Sequence, residues 1–105
     1  SVAEVTLSAG LGESASGMNA KGGITLEMEK YFAQMPGENH PKAERVLELN
    51  PEHPAFKALE NSYKKDPEKA EKLLKLLQGQ ALLTAGLPLQ NTAEFCKLVS
   101  ELMHE

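Results

Sequence analysis

Residues 76–93 form an unbroken run without a charged side chain. The run starts inside a leucine-rich segment that carries Leu73, Leu74, Leu76, Leu77, Leu82 and Leu83. Asp66-Pro67 is a helix-opening signal, and Gly86 is a residue suited to closing a helix, so the segment reads as one long helix over 67–85. Wound at 3.6 residues per turn, its leucines spread around most of the circumference. A helix on the outside of a small monomer shows a polar face along its length. Here Glu68, Lys69, Glu71, Lys72 and Lys75 supply one only in the first half. The second half therefore needs cover on more than one side.

A second helix follows. Asn91 with Glu94 three residues later resembles a capping box. Phe95, Leu98, Val99, Leu102 and Met103 then recur at i, i+3, i+4, i+7 and i+8, which gives one apolar face. This helix can cover one side of its predecessor. A second copy of the chain could cover another, as a four-helix bundle across a twofold axis. The remaining helices of the same chain could do so as well, and periodicity leaves both arrangements open.

Upstream, Val2, Val5 and Leu7 mark a short strand over residues 2–8. Residues 10–23 hold five glycines and read as a loop, or as a weak strand around 14–20. A helix is expected over 24–35. Its Ile24, Met28, Tyr31, Phe32 and Met35 fall within roughly a 100° arc, with Glu27, Glu29, Lys30 and Gln34 outside it. Pro36-Gly37 stops it. Glu44–Leu49 reads as a strand with Leu47 and Leu49 on one face. Pro51 and Pro54 fit only before or within the first turn of another helix, whose apolar face is Phe56, Leu59 and Tyr63. The chain thus reads as short strands together with about four helices.

At 105 residues it is long enough for one domain with a modest core. The net charge of −4 argues against broad nucleic-acid binding, which needs a basic face. No apolar run reaches the length of a membrane span, and the first residues lack the pattern of a signal peptide. Cys96 is the sole cysteine. It cannot form an internal disulfide, which suits a reducing compartment. It reads as a buried or interface thiol, since no base is paired with it. His40, His53 and His104 stand apart from one another at no metal-ligand spacing, and His53 reads as a capping or packing residue. Gly22-Gly23 reads as a plain loop, since no phosphate-loop pattern follows. Glu27, Glu29, Glu68 and Glu71 alternate with lysines and read as solvated helix faces. No acid, base and nucleophile constellation is visible, so an enzyme is the least supported class.

Three segments carry a family likeness. Lys42-Ala43-Glu44-Arg45-Val46-Leu47-Glu48-Leu49-Asn50-Pro51-Glu52-His53-Pro54 resembles the strand-to-helix passage of the heat-shock protein 90 C-terminal domain. Gln80-Ala81-Leu82-Leu83-Thr84-Ala85-Gly86-Leu87-Pro88-Leu89 resembles the junction of that domain's last two helices. Thr25-Leu26-Glu27-Met28-Glu29-Lys30 is similar to its amphipathic helix, in the bacterial HtpG form. The likeness runs in order over essentially the whole chain, and residues 1–105 then make a single C-terminal dimerisation domain.

The resemblance implies an α+β domain, a small mixed sheet of short strands with about four helices, whose last two helices pair with a second copy. That puts Leu73, Leu76, Leu77, Leu82, Leu83, Phe95, Leu98, Val99 and Leu102 at the interface, and a charge at Leu98 or Leu102 is expected to abolish pairing. It also implies that the complete protein is a cytoplasmic bacterial chaperone driven by ATP and magnesium, acting in protein folding and the stress response. The nucleotide site would lie in a domain outside this chain, which itself needs no cofactor. The amphipathic helix would offer Ile24, Met28, Tyr31 and Phe32 to unfolded or partly folded clients; on periodicity alone the same stripe reads as core. The family's strand at 14–20 stands here as Ser-Ala-Ser-Gly-Met-Asn-Ala, a weak strand former. Its usual Asp-Pro before the last helix is Asn91-Thr92. The end at Met103-His104-Glu105 has no acidic tail of the kind that recruits tetratricopeptide partners, which points to a bacterial or organellar form. A monomeric helical adaptor that binds another protein through exposed leucines is the alternative from a different class.

Overall fold

A computed structural model describes residues 2–37, 40–89 and 91–104. The elements run β1 (Glu4–Leu7), a single 3-10 turn (Ala9–Leu11), β2 (Ser16–Lys21), α1 (Leu26–Ala33), β3 (Glu44–Leu49), α2 (Pro54–Lys65), α3 (Pro67–Thr84) and α4 (Thr92–Met103). The three strands form one mixed sheet in the order β1-β3-β2. β1 runs parallel to β3, with Val5 opposite Leu47 and Leu7 opposite Leu49. β2 runs antiparallel to β3, with Met18 opposite Leu47 and Ser16 opposite Leu49. Central β3 therefore has both edges paired, and its Val46, Leu47 and Leu49 are buried.

The core lies where α3 crosses this sheet. Leu77 and Ala81 of α3 meet Leu47 and Leu49, and Phe56 and Leu59 of α2 close the side. The Ser16 hydroxyl donates to the Leu77 carbonyl at 2.7 Å, so β2 is tied to the middle of α3 by a buried hydrogen bond. Most of the weak strand former at 14–20 is thus a strand, with the observed bounds Ser16–Lys21. Pairing with β3 and this tie offset its poor propensity.

The helix ends follow local chemistry. His53 is the N-cap of α2, its Nδ1 accepting from the Ala55 N–H at 3.0 Å. Asp66 ends α2 by donating its N–H to Ser62 and starts α3 as its N-cap. Gly86, at φ 75°, closes α3: its N–H reaches Leu83 O and the Leu87 N–H reaches Leu82 O. That is the paired left-handed helix end in which glycine avoids a Cβ clash. Asn91 caps α4 by accepting from the Glu94 N–H at 3.0 Å. The Glu94 carboxylate pairs with Lys75 at 3.5 Å. Gly79, inside α3, makes room for α4: a Cβ there would lie 2.4 Å from the Phe95 ring.

Candidate interaction surfaces

Among the described residues, both apolar surfaces that the sequence singles out stay open. The first is on α1, which is shorter than the expected 24–35. Thr25 caps it, its hydroxyl accepting from the Met28 N–H at 3.0 Å. Met28 is 38% exposed and Tyr31 61% exposed, and Met35 just beyond the helix is exposed as well. Ile24 and Phe32 are half-buried. The Tyr31 and Phe32 rings meet edge-on, with centroids 5.9 Å apart.

The most buried side chain of α1 is a charged one. Glu29 is 8% exposed, which corrects its reading as part of a solvated face. Its Oε2 accepts from Arg45 at 2.6 Å, and its Oε1 accepts from the Ala43 N–H at 2.9 Å. Burial works against the Glu29 charge. The Arg45 hydrogen bond, the Ala43 N–H and the positive charges of Arg45 and Lys42 outweigh it and hold the carboxyl below its ordinary range. The next residue, Lys30, donates to the carbonyl of Ala85, the C-cap of α3. The sequence marks α1 as amphipathic but carries no sign of which face turns in.

The second surface lies between α3 and α4. A groove of about 340 Å³ is lined by Leu73, Leu76, Leu77, Val99, Leu102 and Met103, with Ala55 and Gln80 at its border. Leu83 and Met103 are exposed, and Leu73, Val99 and Leu102 are half-buried. The same chain covers more of α3 than periodicity alone indicates. Leu76, Leu77 and Leu82 are buried within it, and so is Leu98 of α4, at 8% exposure. Phe95 is half-buried, its ring against Gly79. A charge at Leu98 would therefore strike the fold before any interface, and Leu102 is the cleaner position. On the flanks, Lys72 pairs with Glu101 at 3.1 Å, an α3–α4 tie at a half-exposed edge.

Cys96 is exposed in the single chain. Among the described residues no group of three or more His, Cys, Asp or Glu side chains could hold a metal ion, and no helix is long and apolar enough to cross a membrane.

The sequence model of the Hsp90 protein family matches residues 1–105. The chain belongs to the Hsp90 family. Its relatives are of the bacterial HtpG type. It is 47% identical to the chaperone protein HtpG of Fusobacterium nucleatum over 103 residues, covering 97% of this chain and 17% of that protein. It is 45% identical to HtpG of Shouchella clausii and 43% identical to HtpG of Bacillus subtilis, each over 84 residues, 80% of this chain and 13% of the relative. The chain thus spans less than a fifth of the length of these Hsp90 relatives. The amphipathic helix, the strand and the helix junction that suggested Hsp90 are α1, β3 and the α3–α4 corner.

Proposed function

We propose that this chain is the homodimerisation module of an ATP-dependent chaperone and that it contributes α1 to client binding. The observation that carries the proposal is the open groove between α3 and α4. Leu73, Val99, Leu102 and Met103 form an apolar surface on two adjacent helices that no segment of the described chain covers. A second copy related by a twofold axis would lay the same pair of helices into it and complete a four-helix bundle. Leu83 would meet the partner beside this groove. Leu76, Leu77, Leu82, Phe95 and Leu98 would support the interface from beneath. The relatives are chaperones by name, and a permanent junction would hold the rest of two long protomers at high effective concentration.

Client binding would fall to Met28 and Tyr31, flanked by Ile24 and Phe32. Methionine adapts its shape to varied apolar partners, and tyrosine gives a large contact area with a polar tip.

The deciding measurement is the mass in solution by light scattering over micromolar concentrations. The expected mass is twice the 11.4 kDa of one chain. Leu102→Glu is expected to reduce it to that of one chain while the circular dichroism spectrum stays folded. A clean monomer for the unaltered chain would remove the dimerisation reading and favour the adaptor alternative.

A further inference from the structure

Helix α1 turns two of its three charges, Glu29 and Lys30, toward the domain and leaves Glu27 exposed. Ordinary amphipathic helices are held to a domain by their apolar face, with charges in water. Here the half-turn that faces the domain carries Glu29 and Lys30, while Met28 and Tyr31 face out. Among the described residues α1 shares no extensive backbone contact with another helix or strand. Two polar anchors hold it among the described residues. Glu29 binds Arg45 of β3 and the N–H of Ala43 just before that strand. Lys30 binds the Ala85 carbonyl at the C-terminal end of α3.

We propose that Glu29 and Lys30 are positioning residues that hold the client-contacting stripe outward and couple it to the α3–α4 corner. The proposal rests on reading that stripe as the client surface. An untethered helix with this pattern would roll its apolar side onto apolar surface of its own chain. The two anchors oppose that roll, because it would strip a carboxylate from Arg45 and an ammonium from a helix end. The second anchor also selects its site. The last carbonyls of a helix lack partners within it and carry the negative end of its dipole, so a lysine ammonium is well placed there. Gly86 is the next residue, and a Cβ on it would lie 3.1 Å from the Lys30 Nζ. The turn that ends α3 and the reach of Lys30 therefore fit each other. A tilt of the corner moves the carbonyl that Lys30 holds, and with it the stripe.

The test uses Glu29→Gln, Lys30→Met and Lys30→Arg, with hydrogen exchange by mass spectrometry and affinity for a reduced, carboxymethylated lactalbumin probe. Glu29→Gln and Lys30→Met are each expected to speed exchange over residues 26–33 by about tenfold, as for a local opening. Both should weaken probe binding by about three- to tenfold, although neither side chain lies on the outward stripe. Circular dichroism and solution mass should not change. Lys30→Met should also loosen the Gly86 and Leu87 amides, and Lys30→Arg should restore both segments. If Glu29→Gln impairs folding, the partly exposed Lys30 pair of variants still decides. Unchanged exchange over 26–33 in Lys30→Met overturns the anchoring, and unchanged exchange at Gly86 and Leu87 overturns the coupling. Met28→Ala with Tyr31→Ala separates the two claims. If that variant keeps full probe affinity, the client reading fails, while the exchange results still judge the anchors.

Discussion

The Asn50 side chain sits 3% exposed at the end of β3 and leaves none of its polar atoms idle. Its amide nitrogen donates to the carbonyls of Gly12 and Ser14, each at 3.0 Å. Its amide oxygen accepts from the Glu52 N–H, also at 3.0 Å. Its own backbone N–H goes to Ala15. One residue therefore fastens the glycine-rich loop to the sheet and starts the turn into α2. Replacing it with alanine leaves three backbone groups, of Gly12, Ser14 and Glu52, without this partner at a part-buried site. We expect Asn50→Ala to cost about 1–3 kcal/mol, read as a lower urea midpoint with unchanged slope. An unchanged midpoint would show that water replaces the amide without loss. Sequence reading places Asn50 at a strand end beside a proline but cannot see the loop carbonyls, because they are set by how the chain returns. Glu29 escapes it for a related reason. A helical wheel separates a polar face from an apolar one, and it does not say which of them the domain covers.

Among the elements, those with a strong period are legible. β1, β3 and α2 to α4 follow from apolar spacing, prolines and caps such as Asp66 and Asn91. β2 is not, since Ser-Gly-Met-Asn-Ala has little strand preference and is held by its neighbours. The pairing of α3 with α4 depends on Gly79, whose cost in a helix interior is about 1 kcal/mol relative to alanine. Phe95 explains its presence. Gly79→Ala is expected to expel the Phe95 ring and destabilise the chain by about 1–3 kcal/mol, as overpacked cores do. In a Phe95→Ala background the same change should become neutral or stabilising, because only the helix propensity remains. A thermodynamic cycle of the four proteins checks this, and additive effects would show that the ring is not what requires glycine.

Taken whole, the molecule is drawn out. Its radius of gyration is 14.8 Å and its extents are 45 × 30 × 21 Å. A compact domain of this length would have a radius of about 13 Å. The difference reflects a small core with helices extending beyond it. Much of the fold is thus readable from the sequence, and so is the existence of an apolar helix pair. Which leucines are covered by the chain itself is not, because that depends on where the sheet lies. Acid should act on this body unevenly. The folded Glu29 carboxyl lies below its ordinary value of 4.5, so its contribution is complete at higher pH and fades as pH falls through the folded value. The stability gap between the unaltered chain and Glu29→Gln, followed by urea unfolding from pH 7 to pH 3, should therefore narrow below about pH 4.5. A gap that is constant down to pH 3 would mean that the ion pair is not the source.

Asp66 is the last cap of one helix and the first cap of the next, so it alone separates α2 from α3. In mechanical terms this corner has little slack. A torque applied to α3 cannot be absorbed by a linker and passes to α2 as to the short arm of a bent lever. The connection at the other end of α3 is longer, running through Gly86, Leu87 and Pro88 before α4 begins. If a second copy seats on α3 and α4 as proposed, strain arriving from it would be spent partly in that longer joint, and the remainder would pass through α3 to α2.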